Sequence, residues 1–157
     1  MAWVIGADGG LPAGFTLAET GNLASREAGR LTLEARARFE PNATQAAAVR
    51  EFVRRVLADW GVDSGDAVLL TNELATNSVL HARGPFDIVL CRTVNRLRIS
   101  VHDGNTRLPE FPRVPPDALS GRGLAIVAAL ADDWGIEALP GTGKTIWFEV
   151  NLPPTQR

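Results

Sequence analysis

Asp66-Ala-Val-Leu-Leu-Thr-Asn-Glu73-Leu-Ala-Thr-Asn77-Ser-Val-Leu-His81 is the stretch on which the reading of the fold turns. Ser64 can cap a helix running from residue 66 to about 81, with Val68, Leu70, Leu74 and Val79 as its apolar members, and Gly84-Pro85 forces the turn after it. Glu73 and Asn77 are four residues apart, so at about 100° per residue they lie only about 40° apart on one helix face. His81 continues that row.

Upstream of this helix, residues 43–60 repeat Val49, Phe52, Val53, Val56, Leu57 and Trp60 at the three-and-four spacing of an amphipathic helix that Gly61 is placed to end. Before it, residues 32–39 alternate, with Leu33, Ala35, Ala37 and Phe39 on one face and Glu34, Arg36 and Arg38 on the other, which predicts a half-buried strand ended by Pro41. Residues 1–30 hold seven glycines and a proline and read as a loosely packed arm without a regular element, outside a domain at 31–153. Downstream, residues 86–92 and 97–103 are rich in β-formers and predict an antiparallel hairpin. Residues 104–120 carry Pro109, Pro112, Pro115 and Pro116, too many for a helix or a central strand, and read as a functional loop. A short apolar helix at 123–130 and strands at 134–139 and 145–152 complete the chain. This order predicts an α+β fold: a two-layer sandwich in which an antiparallel sheet is covered on one face by about three helices.

With 157 residues and 45% hydrophobic side chains, one domain can bury a two-layer core. A net charge of -2 offers no basic surface for nucleic acid. Cys91, the single cysteine, forms no internal disulfide, and core packing is its expected role. The first 25 residues contain no lysine or arginine and no continuous apolar core, unlike a signal peptide, and no stretch reaches the length of a membrane span. A cytoplasmic protein with neither nucleic-acid nor membrane partners is the expectation.

The polar row on the central helix can divide labour. An amide oxygen such as that of Asn77 is a hard, neutral ligand for magnesium, which also holds nucleotide phosphates, and the Glu73 carboxylate can accept a proton. Asp103, at a strand end before Gly104, can accept a hydrogen bond from the exocyclic amine of adenine. Gly121-Arg122-Gly123-Leu124 opens a helix, where free N–H groups and the dipole favour an anion such as phosphate. Two other nucleotide motifs are excluded. The dinucleotide pattern begun by Gly121 and Gly123 has Ile126 in its third glycine position, and Gly143-Lys144-Thr145 lacks the first P-loop glycine, Ala138 standing there, and leads into a strand. Thr145, at the start of that strand, can instead present its hydroxyl to the adenine ring.

Taken together, these segments resemble the N box and the three glycine boxes of the GHKL ATPase superfamily (Bergerat fold), in the small single-domain form of the anti-sigma-factor serine/threonine kinases. The resemblance covers about residues 31–152 and rests on Glu73-Leu-Ala-Thr-Asn77-Ser-Val-Leu-His81 and on Gly121-Arg-Gly-Leu-Ala-Ile-Val-Ala-Ala-Leu-Ala-Asp-Asp-Trp-Gly135. It implies ATP and Mg2+ as ligands, Glu73 as general base, Asn77 as magnesium ligand, His81 as a phosphate-side residue, and Asp103 with Gly104 at the adenine. It implies Gly121, Arg122, Gly123 and Leu124 as the phosphate-facing end of a lid, and Thr145 as the adenine-side threonine. The implied partner is an anti-sigma-factor antagonist of the STAS-domain type, with a sigma factor as a second, sequestered partner, and dimers are usual in such a family. The first glycine box departs from its usual Asp-x-Gly-x-Gly: Asp103-Gly104-Asn105-Thr106-Arg107 has its glycine shifted and lacks the second. That departure supports an alternative, an ATP-binding regulatory module that holds a partner protein without phosphoryl transfer. No phosphoacceptor-histidine helix is read ahead of the site, so an autophosphorylating histidine kinase is not expected.

Overall fold

A computed structural model of the chain describes residues 25–27, 30–63, 65–82, 84–108 and 123–154. Its strands are β1 (Ser25–Glu27), β2 (Arg30–Phe39), β3 (Phe86–Arg92), β4 (Arg96–Asp103), β5 (Asp133–Leu139) and β6 (Gly143–Asn151), joined in the order β1-β2-β3-β4-β6-β5. Every pairing is antiparallel. Strand alternation sends Ala35, Ala37, Phe39, Phe86, Ile88, Leu90, Leu97, Ile99, Val101, Ile146 and Phe148 to one buried face. Among the described residues no helix covers the other face, which is polar, with Arg36 on Asp87 at 2.7 Å, Arg96 on Glu149 at 2.8 Å and the Arg98 guanidinium 3.9 Å from the centre of the Trp147 ring.

Three helices, α1 (Gln45–Asp59), α2 (Gly65–His81) and α3 (Gly123–Leu130), cover the apolar face, with α2 in contact with both others. Val49, Phe52, Val53, Val56 and Leu57 of α1 and Ala67, Leu70, Thr71, Leu74, Ala75 and Ser78 of α2 form their buried stripes. Phe39 stacks on Phe86 at 5.7 Å between centroids and meets Phe52 edge-on at 5.9 Å, tying β2, β3 and α1. Gly61 ends α1 with φ 64, its N–H donating to Ala58 O at 3.0 Å and that of Val62 to Leu57 O at 2.8 Å, a Schellman cap that a left-handed glycine permits.

The α+β sandwich is as expected, and β3 and α3 have the expected bounds. Several details differ. A regular element does occur before residue 31: Ser25 pairs with Thr32 and Glu27 with Arg30, so β1 and the start of β2 fall inside the expected arm. Helix α1 starts at Gln45 rather than 43, because the turn after Glu40 closes first, Asn42 N bonding Glu40 O at 2.9 Å. Strand β6 starts at Gly143, not 145, since Lys144 pairs with Asp103 of β4. Cys91 lies on the polar face opposite the helices, between Glu34 and Arg98, rather than in the core. The cap at Ser64 and the loop beyond Leu108 lie outside the described residues. Among the described residues no helix is long and apolar enough to cross a membrane.

Candidate functional site

The row anticipated on α2 is present, and its two flanks meet two other elements. Glu73 and Asn77 are half-buried, while His81, the last residue of the helix, is exposed. Glu73 lies against the start of α3: a Cβ placed on Gly123 would stand 3.2 Å from Glu73 Oε2 and 3.5 Å from its backbone oxygen. The first turn of α3, whose N–H groups have no partner within the helix, is therefore brought beside the carboxylate.

On the next turn of α2, one residue past Asn77, Ser78 is 1% exposed and donates from Oγ to Asp103 Oδ2 at 2.9 Å. Asp103 ends β4 and is itself 2% exposed. Its Oδ1 accepts from the N–H of Asn105 at 2.9 Å and from Lys144 Nζ at 2.8 Å, and Oδ2 accepts a further bond from Lys144 Nζ at 3.1 Å. Lys144 arrives from β6, directly opposite Asp103 in the register. Beyond Asp103 the chain is tied back to α2, for Asn105 Nδ2 donates to the carbonyl of His81 at 2.8 Å and Asn105 Oδ1 accepts from Arg107 N at 3.0 Å. The backbone closes around this point: Gly143 has φ 138, and any Cβ there would fall 1.9 Å from Asp103 O.

The structure thus brings Glu73, Asn77 and Gly123 to one end of a site and Asp103 to the other, with Gly104 exposed in the turn that follows. His81 joins through its carbonyl. Thr145 does not join: strand alternation puts it on the face opposite the helices, where its Oγ1 is 3.3 Å from His102 Nδ1, and Lys144 takes the inward position beside Asp103. Leu124 is buried in the core, which leaves only its backbone for a ligand. Gly121 and Arg122 lie outside the described residues. Ser78, Asn105 and Lys144 were not foreseen. Lys144 was legible, because Ile146 and Phe148 mark the even positions of β6 as inward. Burial first, and Glu34 next, push the Cys91 thiol up, so it is no ready nucleophile.

The family model of the histidine kinase-like ATPase domain matches residues 39–150. The chain belongs to this family, within the GHKL superfamily. No curated protein matches the chain significantly. For a histidine kinase-like ATPase domain, ATP is the expected ligand, and the two ends of the site fit it differently. At the phosphate end, the Asn77 amide oxygen and the start of α3 offer what a magnesium-bound polyphosphate needs. At the base end, Asp103 is already engaged by four donor contacts.

Proposed function

We propose that this domain is an ATP- and magnesium-dependent serine/threonine protein kinase of the anti-sigma-factor type, phosphorylating an anti-sigma-factor antagonist of the STAS-domain class in the cytoplasm and sequestering a sigma factor as a dimer. The observation that supports transfer rather than mere binding is the carboxylate of Glu73 seated against the first residue of α3, beside the row that carries Asn77. A base at a helix N-terminus is where an attacking hydroxyl must approach a phosphate. Glu73 would accept the proton of a serine or threonine hydroxyl as its oxygen bonds to the γ-phosphorus and the bond to the ADP leaving oxygen breaks. Asn77 would hold the magnesium, which when bound neutralises charge on the phosphates.

A second reading, the ATP-binding module without transfer, is favoured by the turn after Asp103, where Asn105 is bonded to His81 O at the position the glycine box leaves open. The two readings separate on incubating the chain with labelled ATP, magnesium and STAS-domain proteins of the same organism. Transfer of label is expected. Glu73→Gln should keep ATP binding and slow transfer by about a hundredfold or more. Unchanged transfer would remove Glu73 from the mechanism, and no transfer to any STAS-domain protein would leave the binding module.

A further inference from the structure

The last carbonyls of a helix have no partner within it, and His81 ends α2. Its carbonyl is taken by a side chain from another element: Asn105, two residues past the end of β4, donates to it from Nδ2 at 2.8 Å. The same amide closes the turn in which it stands, for Asn105 Oδ1 accepts from Arg107 N at 3.0 Å. Three contacts then complete a circuit between the last turn of α2 and the chain leaving β4. Ser78 Oγ bonds Asp103 Oδ2 at 2.9 Å, Asn105 N bonds Asp103 Oδ1 at 2.9 Å, and Asn105 Nδ2 returns to His81.

The Asn105 amide stands only one way round. Turned over, it would set its NH2 against the Arg107 N–H and its oxygen against the His81 carbonyl, donor on donor and acceptor on acceptor. Swinging the side chain out breaks the helix cap and the turn together, and fraying of α2 takes a partner from the turn. Asn77 and His81 are four residues apart, so the helical bond from His81 N to Asn77 O exists only while this last turn is closed. A ligand that spans Asn77 and His81 meets both in place only in that closed state.

We infer that Asn105 couples the last turn of α2 to the turn after β4, so that the two open and close as one unit, and that a ligand held on the polar row of α2 thereby orders the chain leaving β4. The second half rests on the nucleotide reading above; the first does not.

Native-state hydrogen exchange of the whole chain, with and without magnesium-ADP, tests both halves. The reporters are the N–H of Ala82, which donates to Ser78 O at 2.8 Å, and the N–H of Arg107. Without nucleotide their opening constants should agree within about threefold, as members of one cooperative unit do. Magnesium-ADP at about a hundredfold excess over its dissociation constant should slow both by about a hundredfold. In Asn105→Asp the carboxylate still accepts from Arg107 N but cannot donate to His81 O. Ala82 should then open about fivefold more often, the worth of one net hydrogen bond, and magnesium-ADP should slow Ala82 alone. Asn105→Ala, which adds no charge, should give the same increase at Ala82.

A wider gap between the two amides in the unaltered chain overturns the coupling. So does an increase at Ala82 from aspartate but not from alanine, which traces to a new charge near the helix end. If magnesium-ADP still slows Arg107 in Asn105→Asp, the ligand touches that turn itself and Asn105 is not the link. If magnesium-ADP slows neither amide in the unaltered chain, the nucleotide reading fails and the second half with it, while the constants without nucleotide still decide the first.

Discussion

Asp103 and Lys144 face each other across β4 and β6 with 2% of each side chain exposed, so salt and water screen them little. A buried pair of this kind adds little net stability over an apolar pair, but losing one partner leaves the other charge buried and alone. Asp103→Ala or Lys144→Ala should each lower unfolding stability by about 3–5 kcal/mol in urea titrations. Ser78→Ala removes one neutral hydroxyl from the same carboxylate and should cost about 1 kcal/mol. Equal losses for Ser78→Ala and Asp103→Ala would mean that the pair is not desolvated as described. The residue scale is also where the sequence was least legible. Thr145 and Lys144 differ by one position, and in a strand one position exchanges the two faces of the sheet. A lysine seldom reads as an inward residue, and only the parity set by Ile146 and Phe148 reveals it.

At the scale of elements, the seat of α3 on α2 is the contact with chemical consequence. Gly123 opens α3, and a methyl group there would lie 3.2 Å from Glu73 Oε2, close enough that the carboxylate must shift by a few tenths of an ångström. Alanine is also the better helix former by about 1 kcal/mol in a helix interior. Gly123→Ala should therefore leave the melting temperature nearly unchanged or raise it slightly, and lower label transfer to the proposed STAS-domain acceptor by about tenfold, because small misplacement of a reacting group is costly. Full transfer by this variant would show that Glu73 does not depend on its seat against α3. Elements were the legible scale. The period of two in residues 32–39 and the three-and-four spacing in α1 predicted a strand and a helix correctly, since burial of one face determines both patterns. What failed at this scale was the short β1, three residues long between Gly21 and Gly29, which exists only because β2 offers an edge to pair with.

For the whole molecule, the site has no local existence. Its parts come from α2, the end of β4, the start of α3 and β6, and they meet only when the helix pair between β2 and β3 has folded over the sheet and β6 has reached past β5 to pair with β4. Hairpins β3-β4 and β5-β6 join neighbours in the chain, whereas β2-β3 and β4-β6 close long loops, the slower kind of event. That architecture explains why the sequence could name Glu73, Asn77 and Asp103 singly and yet not show that Lys144 stands on Asp103: their meeting is a property of the strand order. A nucleotide bound to the finished site stabilises the native state by mass action, about 2.7 kcal/mol at a hundredfold excess over its dissociation constant. The β4-β6 pairing also carries a kinetic consequence. Because β4 and β6 pair across a long loop, we expect their contact to form after the folding barrier; stopped-flow refolding should then proceed at one rate with or without magnesium-ADP, and the whole of the stabilisation should appear as slower unfolding. Faster refolding with the nucleotide would mean that the strands of the pocket come together early, and the domain would then be one whose ligand guides its folding rather than one that only locks the finished chain.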